Sequence, residues 1–273
     1  MLPMRWVRRR RSTLVRATRY HEKRNTETNR QRPCLLIAAN ASSPAKTLRF
    51  AGYDWVAKSA THEGPGPNNW NENNVWVDQG GYLHLKLTKQ GDRWYCAEVL
   101  TKDRLGFSRY QFWVVGRLDR LDPNVVLGLF NYPTPDVGPD GTNEIDIEFA
   151  QWGKPEAPIG NYTVWPAREG LRRANKRFSV ELKGEYTTHR FMWNSTDVTF
   201  QSLHGHHDDS SNKFADWLYP AARPASLYIP ETHACQDQPL ALSGTAAQEW
   251  SAGRTYRSLI QVHADSIIEY GVT

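Results

Sequence analysis

Between Asn143 and Phe149 the chain reads Asn-Glu-Ile-Asp-Ile-Glu-Phe, a strict alternation of acidic and apolar residues that points to an extended strand. Successive strand side chains project to opposite faces, so Glu144, Asp146 and Glu148 share one face while Ile145, Ile147 and Phe149 share the other. The apolar face requires a core beneath it. Any fold for this chain must therefore contain a sheet with one packed side and one side bearing a row of carboxyl groups.

Three chemistries are compatible with that row. It can be an ordinary half-exposed strand. Clustered carboxylates can also hold Ca²⁺. Two carboxyl groups flanking a bond are, in addition, the minimal machinery of glycoside hydrolysis, with a third acid between them to tune the pair. Alpha-carbons four residues apart on a strand lie ~13 Å apart at ~3.3 Å per residue. A retaining pair needs about 5 to 5.5 Å between carboxyls, a gap that two glutamates leaning together can close.

The flanking sequence narrows the choice. Val125 to Pro133, VVLGLFNYP, reads as a buried strand running into an aromatic rim, and the Pro/Gly/Asp loop 133–141 turns the chain into the acidic strand. Together with GTNEIDIEFAQWG, NYTVWPA and THRFMW, this stretch strongly resembles glycoside hydrolase family 16, the clan of lichenases, laminarinases and xyloglucan-active enzymes. The resemblance spans about residues 47–230. It implies an all-β jelly-roll sandwich with a concave substrate cleft and a retaining mechanism, with Glu144 as nucleophile, Glu148 as general acid/base and Asp146 as the assisting carboxylate. The unbroken Glu-x-Asp-x-Glu spacing is more similar to the lichenase and xyloglucan-active branches than to members with a bulged residue before the last acid. To act as the acid, Glu148 must hold a proton near neutral pH, and burial beside Glu144 and Asp146 would raise its pKa. Phe130, Asn131, Tyr132, Asn161 and Tyr162 are candidates to line the cleft, from their place beside the acids.

The rest of the chain fits an all-β protein. Val75-Trp76-Val77, Tyr82 to Leu87 and Tyr110 to Val115 alternate in the manner of strands, turn residues separate them, and no long run has helical periodicity. Eleven tryptophans and twelve tyrosines are a heavy aromatic load, and flat rings either fill cores or stack on sugar faces. Trp76 and Trp113, inside alternating segments, are expected in the core. Trp70, Trp152 and Trp165, in loops or beside the acids, are expected to be sugar platforms.

The formal charge of +5 is unevenly spread. Residues 1–32 hold eleven Lys/Arg against two Glu, a net +9, which leaves −4 for the remainder. Residues 1–46 are therefore expected to be a basic, disordered leader, with the apolar run 34–39 as a weak signal segment. A nucleic-acid arm at Arg8 to Arg11 is the lesser reading. The polymeric substrates of the family point to a secreted or periplasmic monomer acting on polysaccharide. No run approaches 18 apolar residues, so no membrane helix is expected. Cys34, Cys96 and Cys235 show no metal spacing, the polar run 204–212 reads as an exposed loop, and no cofactor or metal is expected.

The resemblance ends near Pro230. Family members of this type finish with an Ile-Asn-Leu-Trp strand lining the cleft and an alternating strand closing the sandwich, whereas residues 231–273 contain neither. If 232–244, THACQDQPLALSG, is encoded by suitable synonymous codons, reading one base later gives PMHVRINLWLFQG, which restores the first strand. Continuing that frame permits QLPKNGQQVELIVHSFKF, which restores the second. A +1 frame change near Glu231 follows as an expectation, leaving a sandwich short of two strands. Two functions remain open: a retaining endo-β-glycosidase of β-glucan-type polysaccharides, or a carbohydrate-binding pseudoenzyme on the same fold.

Overall fold

Apolar residues at every second position drive short segments to pair as sheets. The computed structural model describes residues 45–64, 66–167 and 169–220, together with the backbone of 240–246 and 259–263. The basic leader, the signal segment, Cys34, Cys235 and the frame-change region near Glu231 lie outside the described residues. Among those described there is no α-helix, only single-turn 3-10 helices at Glu72–Asn74 and Leu118–Arg120.

In chain order the strands are β1 (Thr47–Phe50), β2 (Tyr53–Ala57), β3 (Ala60–Glu63), β4 (Asn68–Trp70), β5 (Val75–Val77), β6 (Leu83–Lys86), β7 (Thr88–Gln90), β8 (Arg93–Thr101) and β9 (Ser108–Val115). They continue with β10 (Val125–Asn131), β11 (Ile145–Ala150), β12 (Gly160–Val164), β13 (Ala174–Phe178), β14 (Tyr186–Trp193), β15 (Asp197–His204), β16 (Lys213–Pro220), β17 (Leu240–Ala246) and β18 (Leu259–His263). One sheet runs β1-β2-β8-β17-β10-β11-β12-β13, with β4 and β7 also paired to β8 and β3 to β4. The other runs β16-β15-β14-β9-β18-β6-β5. The architecture is a jelly-roll sandwich.

The core lies between the sheets. Leu127, Leu129, Ile145, Ile147, Phe149, Tyr162 and Val164 from the first sheet meet Tyr110, Phe112, Phe191 and Phe200 from the second, all of them buried. Tyr162 stacks on Phe200 at 4.8 Å between ring centroids, and Phe149 meets the His189 imidazole at 4.7 Å. Each such side chain contributes about 1.5–3 kcal/mol by leaving water. This burial turns the apolar half of the acidic strand inward and fixes the carboxyl half on the outer, open face.

Trp76 and Trp113 depart from the core role expected of them. Both are half-buried, stacked on His84 and His206 at 4.6 and 5.6 Å. Strand alternation explains it: Val75, Phe112 and Val114 take the core positions, so their tryptophan neighbours face outward. The polar loop after β15 is pinned by Arg190, which donates to the carbonyls of Asp208 and Asp209 and to Ser210 Oγ.

The sandwich is not short of two strands. β17 pairs with β8 on one side and β10 on the other, and β18 pairs with β9 and β6. Pairing uses backbone groups, and a gap between strands leaves rows of unmet N–H and C=O groups that any extended segment can satisfy.

A polar network crosses the core. His189, fully buried, bonds Ser202 Oγ through Nδ1 and Thr187 Oγ1 through Nε2, both at 2.9 Å, while the Tyr162 hydroxyl donates to Ser202 Oγ at 2.7 Å. Burial, reinforced by His206, pushes the imidazole down to about 3. The unfolded chain binds this proton below about 6.5, so the stability His189 contributes is complete above that pH and declines as pH falls toward 3. The slope is about 1.4 kcal/mol per pH unit. The raised acids of the open face contribute with the opposite sign, so the test is a difference. Urea unfolding at pH 7 and pH 4.5 should show a smaller acid loss in His189→Gln than in the parent chain.

Candidate active site

Cross-strand register builds the site. Asp146 lies opposite Phe130 on β10 and Thr163 on β12, and Glu148 lies opposite Gly128 and Asn161. Directly paired residues share a face, so these positions form two parallel rows across the open side of the sheet. Gly128 presents no side chain beside Glu148.

The entry to β11 is set by Asn143, which holds a left-handed backbone at φ 52°. Asparagine tolerates that conformation better than most residues. Its N–H donates to Pro166 O at 2.9 Å, and the carbonyl of Glu144 accepts from Trp165 N–H at 2.8 Å. The chain therefore enters the strand with Glu144 already in register, one residue before regular pairing begins.

Asp146 is only 4% exposed. Its Oδ2 accepts from Trp165 Nε1 at 2.9 Å, while Oδ1 is buried with no donor reaching it. A proton on Oδ1 resolves this, because it can be donated to Glu144. Burial first, and then the charges of Glu144 and Glu148, hold Asp146 well above the usual carboxylate range. Burial is also the largest influence on Glu144, pushing it up to about 8, and the hydrogen bond with Asp146 opposes that rise. Glu148 is raised by burial, against the Asn161 amide, which donates to Oε2 at 2.9 Å, and the charges of Arg173 and Arg177. Burial raises all three carboxyls, and Asp146, whose buried Oδ1 meets no donor, is the one that best accommodates a retained proton.

Trp165→Phe keeps a ring at its position but removes the donor to Asp146. A lost hydrogen bond of about 1.5 kcal/mol should lower kcat roughly tenfold and move the pH–rate profile to higher pH, because the bond favours the charged form of Asp146. Steady-state rates from pH 4 to 9 check it.

The structure sorts the candidate cleft residues. Phe130 and Tyr132 lie on the acid side of the sheet, edge-to-face at 6.2 Å, and Tyr132 donates to Asp140 Oδ1 at 2.7 Å. Asn161 holds Glu148 and Trp165 holds Asp146. Trp152 is 38% exposed in the turn after β11, with a left-handed φ of 53° that is uncommon for a bulky side chain. Three others are placed elsewhere. Tyr162 is fully buried in the inter-sheet core, because it alternates with Asn161 and Thr163 on β12. Asn131 is 1% exposed on the core side, where its Oδ1 accepts the Ile145 N–H at 2.7 Å and completes the ladder at the start of β11. Trp70 lies in strand β4 rather than a loop, buried with Leu87, Cys96 and Val125.

Sequence reading missed Glu98. In the row of Glu148, β17 places Ser243 between Gly128 and Glu98, so Glu98 shares the open face. It is buried, pairs with Lys58 Nζ at 3.2 Å, and is raised chiefly by burial. The signal was present as a lone acid inside the apolar run Cys-Ala-Glu-Val-Leu.

No family model matches the chain, and no curated protein matches its sequence. Solved structures do match in fold. A β-glucanase of Bacillus licheniformis superposes with TM-score 0.53 at 19% identity, covering 77% of this chain and 89% of that one. A pseudo β-1,3-glucanase of Mycobacterium tuberculosis gives 0.58 at 18%, covering 76% and 88%. A family 16 endo-glucanase from Bacteroides ovatus gives 0.53 at 10%, covering 76% and 92%. The open face with its row of acids is thus carried on a family 16-like jelly-roll fold.

Proposed function

We propose that the protein is a retaining endo-β-glycosidase acting on β-glucan-type polysaccharides. The observation that carries this reading is the row of Glu144, Asp146 and Glu148 on the open face, with Asp146 buried and held by Trp165 Nε1 and Glu148 held by Asn161. Glu144, ionised by passing the shared proton to Asp146, attacks the anomeric carbon. Glu148 gives its proton to the departing glycosidic oxygen, and a glycosyl ester forms on Glu144. Glu148, now a carboxylate, takes a proton from the incoming water as that ester is cleaved, which returns both groups to their starting state. The β-glucanases of similar fold support the substrate class. Such polymers do not cross membranes, so we place the enzyme outside the cytoplasm, secreted or periplasmic.

A second reading, a carbohydrate-binding pseudoenzyme, draws on two observations. One structural neighbour is itself a pseudo β-1,3-glucanase. In addition, β17 puts Ala241 and Ser243 at the register positions between β8 and β10, where the resemblance calls for a polar and aromatic strand. Proton NMR of a β-glucan digest separates the two. A retaining enzyme releases the β-anomer first, with the α-anomer growing in by mutarotation. First release of the α-anomer would contradict the mechanism, and binding without any product would favour the pseudoenzyme.

A further inference from the structure

The edge strand of the acid-bearing sheet is cationic. β13 ends the sheet order, and residues 172–177 read Arg-Arg-Ala-Asn-Lys-Arg. Edge strands commonly carry cations that block pairing with other chains. Lys176, whose Nζ donates to Asp216 O at 2.6 Å, fits that role.

Arg173 and Arg177 are placed differently. Arg177 is paired in register with Asn161, the residue that holds Glu148, and so stands on the open face in the row of Glu148. Its neighbour Asn175, paired with Thr163, donates to Asn161 Oδ1 at 3.4 Å, which ties β13 to the site. The Arg173 guanidinium lies 4.6 Å from the ring centroid of Trp165, whose indole holds Asp146. Both arginines are exposed. Among the described residues the cation on the opposite flank, Lys58, is engaged by Glu98, whereas neither of these guanidinium groups is paired with a carboxylate.

The two flanks therefore differ in charge. On the β8 side an acid and a lysine neutralise each other. On the β13 side, two strand spacings or ~10 Å from Glu148, two exposed guanidinium groups without a carboxylate partner stand beside the acid row, one of them over the Trp165 ring. Their charges act on Glu148 whatever the substrate, but a row of carboxyls repels an acidic polymer unless cations stand beside it, and these two arginines stand there. Guanidinium forks match planar and tetrahedral oxyanions with paired hydrogen bonds.

We propose that the β13 side of the cleft binds a sugar unit carrying an anionic group, a carboxylate or a sulfate ester, and that Arg173 and Arg177 recognise it, so that the substrate is an acidic polysaccharide. This rests on the glycosidase reading above and adds the charge of its substrate.

The test uses the full chain carrying Glu144→Gln, which prevents turnover, and three forms of one β-glucan: neutral, carboxymethylated and sulfated. Dissociation constants are measured by calorimetry at 0.15 M salt. At least one anionic form should bind about tenfold tighter than the neutral form, and the form that does identifies the group. In Arg173→Ala/Arg177→Ala that ratio should fall to within about twofold of unity, while Arg173→Lys/Arg177→Lys should retain part of it. Lys89→Ala/Arg93→Ala removes the same charge from the exposed β7–β8 hairpin and should leave the ratio intact. An equal fall in that control, an unchanged ratio in the double alanine variant, or neutral glucan binding as tightly as both anionic forms would each overturn the proposal. If the neutral glucan is also cleaved by the parent chain, the glycosidase reading survives that failure. If none of the three glucans binds, both fall.

Discussion

Glu144→Gln is expected to lower kcat at least about 10³-fold, equivalent to about 4 kcal/mol of lost transition-state stabilisation. Glutamine matches glutamate in size and can accept the hydrogen bond from protonated Asp146, so the site keeps its shape. What it cannot do is form the glycosyl ester. The loss should therefore appear in kcat with little change in glucan affinity, the pattern of an interaction made in the chemical step. Because Glu144 lies outside the inter-sheet core, its melting temperature should hold or rise, since a buried acid no longer has to ionise. Parallel measurement of rate, glucan binding and thermal unfolding separates this outcome from misfolding. An unchanged rate would remove Glu144 from the chemistry.

Phe149→Ala should have the largest effect on stability, about 3–5 kcal/mol. Phe149 is fully buried one residue after Glu148, against Phe178 and the His189 imidazole. Its removal opens a cavity between the two sheets directly beneath the acids. Domains of this kind hold about 5–15 kcal/mol in total, so the loss would be a large fraction of the whole. Met192→Ala, at a site 43% exposed, is the matching control and should cost under about 0.5 kcal/mol. Urea unfolding of both variants tests the comparison. A small effect at Phe149 would mean that the apolar floor of β11 is not what holds the acids in place.

Both expectations start from the segment Asn143 to Phe149, whose alternation is legible in the amino-acid sequence alone. The period-two rule correctly sets Ile145, Ile147 and Phe149 inward and the acids outward, and the same rule accounts for the misplacements. Proximity along the chain groups Tyr162 with Asn161 as a cleft residue, although adjacent strand residues face opposite ways. Asn131 reads as a cleft polar group because its backbone-capping role depends on Ile145, fourteen positions away. Trp70 lacks a recognisable strand pattern because β4 is three residues long and pairs with the distant β8. Glu98 escapes notice for a related reason: it reaches the row of Glu148 through β10 and β17, and register across three strands is not written in local sequence. The two closing strands are unexpected because alternation in 240–246 and 259–263 is weak, whereas pairing needs only extended backbone.

The most direct test of the carboxylate row is to trap its covalent intermediate. A 2-deoxy-2-fluoro β-glucosyl oligosaccharide with a dinitrophenol leaving group slows both chemical steps, since fluorine disfavours the oxocarbenium-like transition state, while the good leaving group restores the first. The glycosyl ester should accumulate, and peptide mass spectrometry should find one added glycosyl unit, with fragmentation placing it on Glu144. An adduct on Glu148 or elsewhere, or no adduct from a chain that hydrolyses the unfluorinated substrate, would contradict the assignment.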